Sequence, residues 1–293
     1  SPSAKQLILD RPKSARRWRP PPPLASKPAQ NNTLHGGARG PVLRTRKEFV
    51  DYVQKEKITH VVAYEFSGGI VNRLRAKGIK AISIDVRQAE HDGPHYQGDV
   101  WDVIDAVEWE VAYFVGPPCY QHLRKDHCLP RKIADGRAFW GGAEVIKCLC
   151  LPNAKVVIVE QPDTIFIDYL DLSLMPDVKV INLVSSWLGD TKRKYVKLLT
   201  RNALLPPIPD EANRPVVVVE RRPSASEYAN ADERDRDRSS MAKMPNTSTF
   251  LAAACPVTPQ VPPRLDYVQV ITRFGEQWAK AGHPRPAGHA NPT

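Results

Sequence analysis

From Thr59 onward the chain alternates apolar runs of strand length with segments of helical length. The runs are Thr59 to Tyr64, Lys80 to Asp85, Val111 to Val115, Lys155 to Glu160 and Val178 to Val184. Each is apolar nearly throughout rather than at every second residue, the pattern of strands covered on both faces. The intervening segments predict helices over about 69–77, 101–107 and 135–150. This β-α alternation predicts an α/β domain with a mostly parallel, doubly wound sheet and right-handed crossovers. Ahead of the first strand, Phe49, Tyr52 and Val53 recur at helical spacing after Thr45 and predict a short amphipathic helix.

The flanks lack this periodicity. Residues 1–44 read as a flexible arm carrying Pro20-Pro21-Pro22-Pro23 and the glycines of His35 to Gly40. The α/β domain is expected over 45–208. An irregular extension over 209–293 follows, with a candidate added strand at Val216 to Val219 and a candidate closing helix over 266–279. The 28 prolines exceed what regular elements hold, which supports long irregular segments.

Charge sharpens the division. Residues 1–47 hold eleven Lys or Arg, among them Arg16, Arg17 and Arg19, against the single acid Asp10, so the whole net +10 lies in this stretch. Such an arm either neutralises nucleic-acid phosphates with release of counterions or is a solvated tail. The five cysteines are odd in number and lack the spacing of a secreted framework, which predicts a reducing, intracellular setting without disulfides. No apolar stretch reaches the roughly 20 residues of a membrane span, so no membrane partner is expected.

Candidate chemistry gathers where the predicted strands end. The first runs into Glu65-Phe66-Ser67-Gly68-Gly69 and then a helix, a turn that can bring backbone N–H groups to a carboxylate or phosphate. The second ends at Asp85, about twenty residues on, where nucleotide-binding α/β folds place an acid against ribose hydroxyls. Gln97-Gly98-Asp99-Val100 then offers a second acid for an amino group. The strand Val111 to Val115 leads into Gly116-Pro117-Pro118-Cys119, where two prolines fix the direction of a thiol at the mouth of the sheet. Arg124, Lys125, Arg131 and Lys132 follow it closely and can raise its thiolate fraction or meet phosphates. The fourth strand delivers Glu160, a carboxyl able to hydrogen bond or protonate a ring nitrogen once burial raises its pKa.

In order, Glu65-Phe66-Ser67-Gly68, Gln97-Gly98-Asp99-Val100, Pro117-Pro118-Cys119-Tyr120, Glu160-Gln161-Pro162 and Gly189-Asp190-Thr191-Lys192-Arg193 resemble the motifs of DNA cytosine-C5 methyltransferases. The compact members from phages and large DNA viruses are the nearest in pattern. The resemblance covers roughly half the chain and implies a Rossmann-like S-adenosylmethionine-dependent methyltransferase fold. It implies S-adenosylmethionine as cofactor, held by Phe66, Ser67, Gly68, Gly69, Asp85, Asp99 and Pro117. It further implies Cys119 as the nucleophile towards cytosine C6, Glu160 as the group at N3, and Arg193 orienting the base or Glu160. DNA is the implied substrate, with RNA the lesser choice.

Two positions depart from that pattern: Tyr120 stands where the family has Gln, and Gln161 where it has Asn. They leave open a second reading, a methyltransferase fold that has lost turnover and serves as a structural subunit of a virion or other large assembly. In that reading the arms contact partner subunits. A zinc site from Cys119, His122, His127 and Cys128 fits no familiar ligand spacing, so no metal is expected. Cys148 and Cys150, two apart on a predicted helix, read as core residues.

Overall fold

The apolar runs pair as strands of one sheet. The computed structural model describes residues 40–117, 128–162, 164–191, 194–217, 244–256 and 266–284. The sheet strands, in chain order, are β1 (Val42–Leu43), β2 (His60–Ala63), β3 (Ala81–Asp85), β4 (His95–Gln97), β5 (Trp109–Val115), β6 (Ala154–Pro162), β7 (Val178–Val184) and β8 (Tyr195–Arg201). Their spatial order is β1-β4-β3-β2-β5-β6-β8-β7. All pairings are parallel except those of β8, which runs antiparallel to both β6 and β7. From β2 the chain winds outward through β3 and β4, then crosses back to β5 and winds the other way. The topological switch point therefore lies between the carboxyl ends of β2 and β5, where open α/β sheets bind ligands. This is the doubly wound, Rossmann-like α/β sheet that the sequence predicts.

Helices cover both faces. On one, α1 (Arg46–Glu56) opens with a capping box between Thr45 and Glu48 and buries Phe49 and Val53. The same face carries α4 (Arg137–Leu149), preceded by the short α3 (Leu129–Ala134), and α6 (Tyr267–Lys280), whose N-terminus is capped by Asp266. Phe274 and Trp278 of α6 are fully buried against Phe139 and Phe166. Gly142 is what lets them in, since a Cβ there would lie 2.4 Å from the Phe274 ring. On the opposite face, α2 (Gly69–Ala76) and α5 (Pro245–Leu251) bury Ile70, Val71, Leu74, Phe250 and Leu251 with Val62, Ile158 and Leu198. A two-stranded ribbon joins β9 (Ala203–Leu204) to β10 (Cys255–Pro256).

Four expectations change. The helix over 101–107 is a single 3-10 turn, Val100–Asp102, although Val103 and Ile104 behind it are buried. The strand β8 is one that the apolar runs do not predict. The segment at Val216 is extended without pairing and Val216 is fully exposed, while Val218 and Val219 lie outside the described residues. At the other end, Val42 and Leu43 belong to the sheet edge, paired with His95 and Tyr96, so the chain enters the fold ahead of residue 44. Residues 1–39, with Arg16, Arg17 and Arg19, lie outside the described residues. Arg46 and Lys47, the end of the basic stretch, pair with Asp105 and Asp51.

Candidate functional site

The strand register brings the sequence-predicted groups to one edge. Asp85 pairs with Gln97, Ala63 with both Ile84 and Phe114, and Val115 with Glu160, all between parallel neighbours whose carboxyl ends point the same way. The turn 64–69, Asp85, Gly98-Asp99, Gly116-Pro117 and Glu160 therefore line a single rim at the switch point. Three backbone positions on it adopt the left-handed region: Tyr64, with φ of 62°, Gly68, with φ of 78°, and Gly116, with φ of 57°. A left-handed aromatic residue is an outlier of the kind that surrounding structure must enforce.

Glu160 is buried at the carboxyl end of β6, and its carbonyl accepts from the N–H of Gly116 at 3.2 Å. Its carboxylate lies against that glycine: a Cβ on Gly116 would be 3.3 Å from Glu160 Oε2. Lys194, just ahead of β8, forms an ion pair with Glu160 at 2.8 Å. Lys194 follows directly on Arg193, the residue for which the resemblance implies a role at the base or at Glu160. Cys119, Arg124, Lys125 and Arg193 lie outside the described residues, as do His122 and His127. Pro117, the last described residue before Cys119, is buried two residues from it and beside Gly116.

Cys148 and Cys150 are buried in the core, and burial pushes the Cys150 thiol up to about 12, far from a nucleophile's thiolate. Of the described cations following Cys119, Arg131 is exposed and Lys132 is buried.

The turn after β2 differs from expectation. Glu65 folds back over the start of α2 and accepts from the N–H groups of Ile70, at 2.5 Å, and Val71, at 3.0 Å. Those donors, expected to be open to a ligand's carboxylate or phosphate, are taken by the chain's own carboxylate. Burial raises the pKa of Glu65, and the two N–H bonds with Arg75 and Arg73 nearby offset part of that rise. Phe66 is buried, and its carbonyl accepts from Glu90 N–H at 2.8 Å. Gly68 takes a left-handed φ of 78° under His91, and a Cβ there would lie 2.5 Å from His91 Cβ. Gly69 faces Ser248 of α5, whose Oγ would be 2.9 Å from an added Cβ. Ser67 is partly exposed at the rim.

Behind the turn, Ser83 Oγ bridges His91 Nε2 at 2.9 Å and His95 Nδ1 at 2.8 Å. Burial lowers the pKa of both histidines. The segment from Arg87 to Gly93 is thereby strapped across the glycine turn.

Asp85 is nearly buried and held by Arg87, whose Nε and Nη2 reach its two oxygens at 3.2 and 3.3 Å while the Arg87 N–H donates to Oδ1 at 2.8 Å. Asp99 is exposed and caps the following 3-10 turn by accepting from Trp101 N–H. Sequence reasoning therefore missed three groups: Glu65 as a cap, Arg87 as the partner of Asp85, and Lys194 as the partner of Glu160. Arg87 lies two residues beyond the acid and Lys194 next to the last motif, so proximity in sequence was the available signal. Asp190, from that last motif, serves the fold. It is buried and accepts from the N–H groups of Asn246 and Thr247 and from Thr247 Oγ1, capping α5.

The donor set suits an adenosyl group in part. Asp85 and Asp99 can accept from hydroxyl and amino donors, while a ligand carboxylate needs donors other than Ile70 and Val71. No helix among the described residues is long and apolar enough to cross a membrane.

No family model matches the chain, and no curated protein matches it either. Solved structures do. A prophage-encoded E. coli protein described as a DNA modification methyltransferase aligns at 10% identity and a TM-score of 0.34, over 49% of this chain and 46% of that one. An antibiotic-related methyltransferase aligns at 8% identity and a TM-score of 0.32, over 53% of this chain and 93% of that one. The delta-N METTL16 methyltransferase domain aligns at 10% identity and a TM-score of 0.32, over 53% and 81%. The chain thus spans about half the length of the first of these and most of the other two.

Proposed function

We propose that this chain is an S-adenosylmethionine-dependent methyltransferase acting on cytosine C5 in DNA, with Cys119 as nucleophile. The observation that carries the reading is Glu160, buried at the switch-point rim against Gly116, three residues before Cys119. A thiol three residues beyond Gly116 would be within reach of that carboxyl, and the pair would suit a pyrimidine entering edge-on. Glu160, once it has taken up a proton and left Lys194, would donate to N3 while the thiolate adds to C6, making C5 nucleophilic. S-adenosylmethionine, when bound, supplies an electrophilic methyl group. Asp85 and Phe66 would hold its adenosyl part, Asp99 its amino group, and Lys194 would fix the Glu160 carboxylate until it is protonated. The base would have to leave the duplex to reach this rim. Arg131, Arg124 and Lys125 would then meet its phosphates, with Arg16, Arg17 and Arg19 as a sequence-independent anchor.

One set of contacts favours the second reading, a fold without turnover that serves a larger assembly. Glu65, Asp85 and Glu160 all have partners within the chain. Methyl transfer from labelled S-adenosylmethionine to mixed DNA separates the two. Incorporation by wild type, lost in Cys119→Ala and reduced in Glu160→Gln, is the expected result. Equal background in wild type and Cys119→Ala, with no cofactor binding by calorimetry, would leave the assembly reading standing. Deleting residues 1–39, which spares β1, is expected to weaken DNA retention at low salt and flatten its salt dependence. Unchanged retention removes the anchor.

A further inference from the structure

Among the described residues, Arg87 is the cation that stands on both Phe66 and Asp85, the groups assigned to the adenosyl end. Its guanidinium carbon lies 3.5 Å from the centre of the Phe66 ring, and its Nε and Nη2 reach the two oxygens of Asp85. The surroundings are unequal in mobility. The Asp85 side chain is 6% exposed and the Arg87 side chain 57%. The Arg87 backbone is pinned at both ends: its N–H donates to Asp85 Oδ1, and its carbonyl accepts from His95 Nε2 at 3.0 Å. The guanidinium alone can leave while the strap stays in place.

We propose that Arg87 is a built-in occupant of the ribose position, competing with the ligand's hydroxyls for Asp85 and so setting the affinity of the site. This rests on the reading of Asp85 and Phe66 as adenosyl contacts. A carboxylate accepting three bonds from one arginine has little capacity left for a diol, and a guanidinium on the Phe66 face blocks that ring from a ligand. Binding then requires the guanidinium to swing out into solvent, where its exposure already places much of it. An exposed ion pair of this kind shifts an equilibrium only modestly, by about two- to fivefold.

The test is calorimetric titration of the full chain with three probes: S-adenosylmethionine, S-adenosylhomocysteine and adenosine. Wild type is compared with Arg87→Ala, Arg87→Gln and Asp85→Asn, each checked by thermal melting. Removing a cation also favours the positively charged sulfonium by simple Coulomb attraction, but it does not favour the two uncharged-sulfur or sulfur-free probes. The expected result is a gain of about two- to fivefold for all three probes in both Arg87 variants, and a loss for all three in Asp85→Asn. A gain confined to S-adenosylmethionine, or none, with Asp85→Asn still weakened, overturns the competition and leaves the adenosyl site intact. Unchanged binding in Asp85→Asn, or no binding by any variant including Arg87→Ala, overturns both.

Discussion

Asp190 is the position where a motif residue can be tested for a role in the fold. Its carboxylate accepts from Asn246 N–H at 2.9 Å, Thr247 N–H at 3.0 Å and Thr247 Oγ1 at 2.6 Å, and it is 3% exposed. These bonds fasten α5 to the turn after β7, and α5 in turn lies on α2, where Arg73 donates to Thr249 Oγ1 and Lys77 to the Ala252 carbonyl. Replacing Asp190 by Ala removes three charge-assisted bonds, each worth about 1.5–3 kcal/mol, and strands two backbone donors. The bonds share one carboxylate and are not additive, so the expected loss is about 3–5 kcal/mol, that of a broken buried network. Asp190→Asn keeps the shape and one acceptor oxygen and is expected to lose roughly half of that. Urea unfolding gives the magnitude, and hydrogen exchange over 245–251 and 69–76 gives its location. If α5 is the brace inferred here, exchange rises in both segments together. A loss below about 1 kcal/mol with protection unchanged in both would refute the reasoning, because an exposed or replaceable cap has that size.

Two further predictions concern stability. Gln161 is fully buried, and neither its amide nitrogen nor its amide oxygen has a partner; Gln161→Leu is therefore expected to stabilise the fold by about 1–3 kcal/mol in urea unfolding, and destabilisation would show that the amide is used. Burial lowers the pKa of His60, His91 and His95. The unfolded chain then takes up protons first as pH falls below about 6.5, so stability is full above that value and declines beneath it, by at most about 1.4 kcal/mol per pH unit per histidine. Glu65 works in the opposite sense, since its raised pKa makes the folded state hold a proton in the range above the ordinary carboxylate value. Unfolding midpoints at pH 7.5, 6.5 and 5.5 for wild type and a His91→Gln, His95→Gln double variant check this, and equal pH slopes in the two proteins would count against it.

The fold was legible where burial on both faces wrote itself into composition. The strands β2, β3, β5 and β6 are apolar runs because helices cover both sides of them, while β7 at the sheet edge shows its position in the exposed Lys179 and Asn182; Phe49 and Val53 at helical spacing marked α1 and are buried in it. The segment Tyr195–Arg201 was not legible because it carries Lys197 and Arg201 among its apolar residues. Arg201 is in fact buried, donating to the carbonyls of Leu149, Leu151 and Ala154, a use of a cation that no periodicity signals. The helix over 101–107 failed for the reverse reason: its apolar residues Val103 and Ile104 are core, but Asp99 caps only one 3-10 turn before the chain departs.

At the site, sequence order located the acids but not their partners. Spacing placed Asp85, Asp99 and Glu160 at strand ends, because the doubly wound topology forces successive carboxyl termini onto one rim. Whether an acid at a strand end faces a ligand or its own chain depends on side-chain placement, which spacing does not encode. Glu65 shows the consequence. Read as the start of a ligand turn, it instead consumes the two helix donors that made the turn attractive, as an N-terminal carboxylate does wherever its backbone lets it fold back. Arg87 and Lys194 extend the same logic to Asp85 and Glu160, with one difference. Glu65 is buried with its donors on the backbone and cannot be freed without unwinding α2, whereas the partners of Asp85 and Glu160 are side chains, Arg87 exposed and Lys194 half-buried. The rim is therefore closed permanently at the helix start and reversibly at the two acids. On the proposed reading an adenosyl ligand and a base would enter at those acids, and the variants at Arg87, Asp85 and Glu160 report whether they do.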